Sequence, residues 1–523
     1  MYKQLLGTGP NVARSGATSR HHNKFGIRHL AISLAAIALL AACGGASGPD
    51  NDAPGDNNRK GINDQDESQI KQVYAPSAQL ANTCVTPASG EKQGTVNDEK
   101  SWVRSFVDER YLWYKDVPYV DASKYTSAAA YFEVLKTPAK NSAGEPLDRF
   151  HWSVTNAQDE NWQAGVAVDY GIYWRVESRE TPRSLVVFDV EPESPAGQAG
   201  ILRGDKLVAV DGIDFVNANS QSDKDAINNG LFPKDAKSHV FEFNRTGELK
   251  TFTVAAGENY PTSPVRYKKI IDDGGTKVAY IYFDDFIVKS EKELTEAFSY
   301  FNNQGATELI LDMRYNGGGY LAISQQLGYM IAGEKSIGKD FSRLIFNDKR
   351  QTDNRSYRFA NLGINWSTGY FDRSKQLPTM NLSKVTMLVS NRTASASEEL
   401  INALKGIDVT VNLVGKTTTG KPYGWQSQSN CGRTYNLVEF KAANAKNFSD
   451  YDAGFVPSCI AEDDVQHPLG DTQEAMLATA LAYRKTGRCS QSVVSRLAMI
   501  SKPEAYFQPK NIPRMIVTPL KNQ

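Results

Sequence analysis

The chain reads as an α/β protein with a β-rich module and an N-terminal helical region, and three observations say so. After Pro264, strand-like and helix-like segments alternate: "VAYIYFDDF", "EKELTEAFSYFNNQG", "TELILDM", "YLAISQQLGYMIAG", "KVTMLVS", "SASEELINALKG" and "VTVNLVG". That is the mark of a mostly parallel sheet covered by helices. Between 162 and 257, "VVFDVEPESPAGQAGILRGDKLVAVDG" runs from a strand through a short Ala/Gly helix and a Gly-Asp turn into a second strand. Pro195 suits the first helical turn, and Gly200 and Gly204 permit the turns that bring strand and helix together. Residues 93–161 hold "SWVRSFVDERYLWY" and "SAAAYFEVLK", with Trp102, Phe106, Tyr111 and Trp113 near helical spacing. Those aromatics are expected to form core.

Taken from the N-terminus, residues 1–29 carry Lys3, Arg14, Arg20, Lys24 and Arg28 with no acid, followed by "LAISLAAIALLAA" and Cys43. The run is too short for a stable span, and "LAAC" has the small residues that lipoprotein signal peptidase requires. Residues 1–43 are therefore expected to be a signal ending at a lipid-bearing Cys43. That places the protein in a bacterial cell envelope, facing the periplasm, and Gly44 rather than Asp favours the outer membrane. Residues 44–92 begin "GGASGPDNDAPGDNNRKGINDQDESQ", polar text that cannot repay its ordering entropy, and read as a tether. Without the signal, 54 basic residues face 59 acidic ones. A net charge of about −5 gives no basic excess to neutralise phosphates, which argues against a nucleic-acid partner. Cys84, Cys431, Cys459 and Cys489 remain, an even number that suggests two disulfides in an oxidising compartment. Of the three pairings, Cys431 with Cys459 and Cys84 with Cys489 is preferred, because the first pair brackets one expected hairpin. No C-x-x-C spacing occurs and histidine is sparse, so neither a metal nor a cofactor is expected.

Ligands in open α/β sheets gather at strand carboxyl ends, and three such ends carry unusual text. In "LDMRYNGGGY", Gly317, Gly318 and Gly319 are expected to open the next helix and to present free amides to a developing negative charge. A dinucleotide fingerprint is the weaker reading, because the paired βαβ half is missing. In "TASASEEL", Ser395 with Glu398 three residues on makes a capping box. A serine at a helix N-terminus is equally where a nucleophile would find an oxyanion site, supplied by the Ala396 amide. The third end, "GKTTTGKPYGWQ", matches a phosphate-binding loop from Gly415 to Lys421, but Pro422 occupies the position of the magnesium-binding hydroxyl. Lys421 can instead replace a histidine base. Its ordinary pKa near ~10.4 must then fall by roughly three units, about 4 kcal/mol of bias, which burial near Tyr423 and Trp425 can supply.

Jointly and in this order, "LDMRYNGGG", "TASASEEL" and "GKPYGWQ" resemble the carboxyl-terminal processing (tail-specific) peptidases, over about 162–490. The 162–257 module resembles the PDZ domains of bacterial envelope proteases, with "AGVAVDY" at the peptide-binding strand and its loop. The resemblance implies a crotonase-like core over 258–490 and a Ser/Lys serine endopeptidase. In it Ser395 is the nucleophile, Lys421 the general base, Gln426 the residue orienting the lysine, and Gly318 and Ala396 the oxyanion donors. Gly165 and Val166 would bind the substrate's tail. It further implies substrates with exposed C-termini and an activating adaptor or homo-oligomer as partner. The family usually has Gly-Lys-Gly with glutamine four residues after the lysine. Here Pro422-Tyr423-Gly424 follows, and Gln426 lies five after. The alternative is an inactive PDZ scaffold of the envelope. A penicillin-recognising hydrolase, suggested by Lys485-Thr486-Gly487, lacks an S-D-N partner. Residues 491–523 read as a C-terminal tail outside the resemblance.

Overall fold

The computed structural model describes residues 73–164, 168–233, 235–257, 260–489, 505–507 and 514–516. Cys43, Gly165 and Val166 lie outside the described residues. Helix α1 (Val96–Arg110) starts at Thr95, whose hydroxyl accepts from the Asp98 amide while Asp98 accepts from the Thr95 amide. This reciprocal capping satisfies two donors that the helix itself cannot. From α1, Trp102, Val103, Phe106 and Val107, together with residues of α2 (Ala128–Phe132), pack against Tyr423, Trp425, Tyr435, Leu437 and Val438. The aromatic stripe is therefore core, as its spacing predicts, but a core shared with the C-terminal half of the chain. The strand Trp152–Thr155 also pairs with Arg433–Asn436.

Two expectations need correction here. Residues 83–92 fall within the expected tether, yet Thr83–Cys84 pairs with Lys92–Gln93 and Cys84 is bonded to Cys431. The disulfides are Cys84–Cys431 and Cys459–Cys489, not the preferred pairing. Cys431 sits at the turn between Gln428–Asn430 and Arg433–Asn436, and Asn430 beside it accepts from the Asn82 amide. The N-terminal region is thus already seated on that hairpin, so proximity in sequence was the wrong guide.

The 162–257 module is an antiparallel sheet built from β1 (Ile172–Ser178), β2 (Ser184–Val190), β3 (Lys206–Val210), β4 (Ser238–Arg245) and β5 (Glu248–Ala255). Helix α3 (Pro195–Ala199), with proline in its first turn, ends at Gly200 with φ 87°, and α4 (Gln221–Leu231) supplies Ile227 and Leu231 to the module's core. Buried charges tie the module to the rest. Arg203 donates to Asp463 (2.6 Å), which also accepts from Arg314 (3.0 Å). Burial pushes the Asp463 carboxyl up, but Arg203 and Arg314 more than cancel this and hold it well below its ordinary value. Arg266 also pairs with Asp189 and Glu191 of the module, where burial outweighs the arginine and raises both carboxyl pKa values.

The α/β core follows the expected alternation. Its sheet runs β6 (Tyr267–Asp272), β7 (Lys277–Tyr282), β8 (Glu308–Asp312), β10 (Lys384–Val389), β11 (Thr410–Gly415) and β12 (Cys459–Ile460), with all pairs parallel except β6–β7. Helix α5 (Val288–Asn303) buries Leu294, Ala297, Phe298 and Phe301, the stripe its period predicts. A short strand β9 (Gly318–Tyr320) precedes α6 (Leu321–Ala332), which is buried on every side. Helix α7 (Ala396–Gly406) follows β10, and α8 (Ala475–Thr486) brings Cys489 back to β12. The interior strands β7, β8, β10 and β11 are mostly buried and apolar, as a sheet covered on both faces requires, whereas the edge strand β6 is largely exposed.

Candidate active site

The loops leaving β8 and β10 are stitched together at the sheet's carboxyl edge. Thr393 Oγ1 donates to the Met313 carbonyl (2.8 Å), Ser390 Oγ donates to that of Arg314, and the Ala394 amide donates to that of Asn316 (3.1 Å). The stitching fixes Ser395 at the start of α7. Ser395 has φ 60° and ψ −115°, a backbone state that a residue with a Cβ holds only when its surroundings enforce it. A capping serine would adopt extended φ/ψ and accept from the third helical amide. Ser395 Oγ is instead buried without a hydrogen-bond partner. The capping box is half present: Glu398 accepts from the Ser395 amide (3.0 Å), while the Ser395 hydroxyl accepts no helix amide.

Glu398 is fully buried and holds more than the helix start. Its Oε2 accepts from the amides of Ser395 (3.0 Å) and Lys421 (2.8 Å), so the two amide nitrogens are less than about 6 Å apart. Its Oε1 accepts from the Gly420 amide (2.7 Å) and the Thr418 hydroxyl. Burial raises its pKa, opposed by the Thr418 hydroxyl and the three amides. One carboxylate therefore joins the segments bearing the expected nucleophile and base, 26 positions apart in sequence.

Lys421 is fully buried, and its Nζ lies 3.8 Å from the centroid of the Trp425 ring and 5.3 Å from that of Phe150. Phe150 comes from the N-terminal region, as do Trp113, packed edge-on to Tyr423 at 4.7 Å, and Trp152, edge-on to Trp425. The N-terminal region thus walls the lysine. Phosphate binding has no support here, because Lys421 sits in an aromatic box and Tyr423–Gly424 is a strand.

The glycine-rich segment differs from expectation. Gly318 and Gly319 lie in β9, with φ 107° and 135°, and α6 begins only at Leu321. A Cβ on Gly319 would sit 2.3 Å from the Phe286 carbonyl oxygen, so close pairing with Phe286 demands glycine and forbids a helix start there. The Gly318 amide donates to Asn316 Oδ1 (2.9 Å), which also accepts from Ser397 Oγ (2.9 Å). Asn316 thus links β9 to α7, a role its sequence context did not signal. Ala396 is the first residue of α7, so its amide has no acceptor within the helix. Gln426 is half-buried, and its backbone amide bonds to Glu439. Among the described residues its side chain makes no hydrogen bond to Lys421.

All of these residues except Phe150, Trp113 and Trp152 fall within residues 277–444, which match peptidase family S41. Residues 98–154 match the S41 N-terminal domain and 168–256 match a PDZ domain. The chain belongs to peptidase family S41. Among curated S41 relatives, a carboxyl-terminal-processing protease of Picosynechococcus sp. (strain ATCC 27264 / PCC 7002 / PR-6) is 30% identical over 236 residues, which is 44% of this chain and 49% of that one. The chloroplastic carboxyl-terminal-processing peptidase 1 of Arabidopsis thaliana is 28% identical over 363 residues, 66% of this chain and 68% of that one. The chain spans about half the length of the cyanobacterial relatives it matches. A solved S41 structure from Bacteroides fragilis NCTC 9343 has a TM-score of 0.58 at 23% identity, over 74% of this chain and 97% of that one, and so shares the fold. The S41 N-terminal domain match covers the segment that supplies Phe150 and Trp152. From the sequence that segment reads as a helical region whose aromatics form core.

Proposed function

We propose that the protein is a serine endopeptidase that cleaves proteins recognised through their C-terminal tails, with Ser395 as nucleophile and Lys421 as general base. The observation that carries this reading is the Glu398 carboxylate, which accepts from the amides of both residues while Ser395 Oγ stays buried and unbonded. Ser395 Oγ adds to the scissile carbonyl carbon as its proton passes to the neutral Lys421 amine. The oxyanion takes the Ala396 N–H. Gly318 joins only by exchanging Asn316 Oδ1 for the substrate oxygen. Lys421 then protonates the departing amine, and a water that it deprotonates cleaves the ester to regenerate Ser395. Gln426 orients the lysine only through a rearrangement, because its amide is not bonded to Lys421, so it is the weakest member of the set. The PDZ domain presents the tail, with Gly165 and Val166 at its binding loop.

A fluorophosphonate probe tests the chemistry directly. Wild type is expected to be labelled and Ser395→Ala not, whereas equal labelling of a folded Ser395→Ala protein overturns the assignment. We further propose that Cys43 carries a lipid that anchors the protein at the periplasmic side of a membrane, because "LAAC" places small residues before the cysteine. Cys43→Ser is expected to lose incorporated radiolabelled palmitate, and label that persists refutes the anchor.

A further inference from the structure

The chain's own C-terminal segment lies along two edges that a peptide substrate needs. Ala505–Phe507 forms β13, which pairs antiparallel with β1, placing Ala505 opposite Val176 and Phe507 opposite Trp174. Without β13, β1 would be the exposed edge of the PDZ sheet, with a row of unpaired backbone groups ready for strand addition. Arg514–Ile516 forms β14, which pairs parallel with β9, Gly318 opposite Arg514 and Tyr320 opposite Ile516. The other side of β9 is already taken by Phe286, whose amide donates to the Gly318 carbonyl (3.0 Å) and whose carbonyl accepts from the Tyr320 amide (2.7 Å). With β14 in place, no edge of β9 is left for another chain. Cα atoms of β14 also come within 8 Å of those of Tyr423–Gly424, the strand just after Lys421. The tail therefore runs between the glycine strand and the lysine segment.

We propose that β13 and β14 act together as an intramolecular ligand that occupies the PDZ edge and the β9 edge and so competes with substrate. The proposal rests on the peptidase reading for its consequence, but not for the binding itself. Its root is fixed, because the Cys459–Cys489 disulfide pins the start of the segment to β12. Its sequence suits an extended ligand. Pro503, Pro509 and Pro513 flank the two strand-forming pieces, and proline disfavours helix while holding the residue before it extended. Seven chain steps separate Phe507 from Arg514, so β13 and β14 lie within about 25 Å of each other.

The order of the pieces argues that the tail blocks rather than serves as substrate. A substrate held on β1 by its own C-terminus offers for cleavage a bond N-terminal to the held residues. Here the residues on β1 precede those on β9, so the tail is threaded the other way. A tethered segment has an effective concentration of about 1 mM, so a segment whose free peptide binds at about 0.1 mM would raise the apparent KM about tenfold.

The test uses a fluorescent peptide of residues 504–517 and three proteins carrying Ser395→Ala: the full chain, a chain ending after Cys489, and a full-length chain with 504–517 replaced by Gly/Ser of equal length. Circular dichroism confirms that each is folded. Anisotropy is expected to show the peptide binding both tail-altered forms at least tenfold more tightly than the full chain. Equal binding to all three, or no binding to the folded tail-altered forms, overturns the proposal. With Ser395 restored, the tail-altered forms are expected to cleave a peptide with about tenfold lower KM and unchanged kcat. Cleavage with the same KM in all three refutes autoinhibition alone. The expected binding pattern with no cleavage by any form refutes the peptidase reading and leaves the tail assignment standing.

Discussion

Lys421→Arg is expected to be as inactive as Lys421→Ala, with kcat/KM for a tail peptide at least about 10³-fold below wild type, roughly 4 kcal/mol of lost transition-state stabilisation. Arginine keeps its charge above pH 12 and cannot accept the serine proton, so preserving the charge should rescue nothing. It also cannot fit the box made by Trp425 and Phe150 without displacing them. A purely electrostatic role predicts the opposite order, with arginine retaining more activity than alanine. Only the neutral amine accepts a proton, so kcat/KM of the wild type is expected to rise with pH between 6 and 10. The decisive measurement is kcat/KM for wild type and both variants across that range, with folding confirmed for each. Substantial activity in Lys421→Arg removes Lys421 as the base. So does a wild-type profile lost in His467→Ala: His467 stands half-buried beside Asp464, whose hydrogen bond raises its pKa.

Glu398→Ala is expected to cost both stability and activity, because it removes the carboxylate that binds the Ser395 and Lys421 amides together and leaves the two segments joined through Thr419, which donates to the Thr393 and Asn391 carbonyls. Four donors lose their acceptor: the amides of Ser395, Gly420 and Lys421 and the Thr418 hydroxyl. Each buried donor left unsatisfied costs about 1–3 kcal/mol before relaxation, and relaxation brings the expected total to about 3–5 kcal/mol. A displacement of about 1 Å between nucleophile and base is enough to lower kcat about 10²-fold, with KM changed much less. Glu398→Gln keeps one accepting oxygen but turns an NH2 toward other amides, so it should fall between the two in stability and in kcat. Urea unfolding and steady-state kinetics on the three proteins check the ranking. A Glu398→Ala protein within threefold of wild type in kcat and within 1 kcal/mol in stability would show that the carboxylate does not position the pair.

Much of this molecule was legible one segment at a time. The alternation after Pro264, the apolar face of α5 and the strand–helix–turn text of the PDZ domain follow from periodicities of two and 3.6 residues and from turn residues, all written within a dozen positions. Ser395 and Lys421 stood out because each breaks the expected text at a strand end. Glu398 was legible only in part. Its spacing from Ser395 announced a capping box, and half of that box exists, but nothing near residue 398 shows that Gly420 and Lys421 will also donate to it. The glycine-rich stretch misled for a related reason. Local text cannot distinguish a helix start from a strand held against Phe286, and the choice rests on an approach that only glycine permits.

The chain therefore carries its element types, its strand-end chemistry and its family motifs in local patterns of side chains. The disulfide partners, the aromatic wall from Phe150 and Trp152, the clamp at Glu398 and the tail strands against β1 and β9 belong to the assembled fold. Cys84 meets Cys431 across 347 positions, and Gly318 meets Arg514 across nearly two hundred. Such pairs form because separate surfaces bury together and backbone edges find partners. That free energy depends on where the whole chain has gone, and no local pattern of residues encodes it.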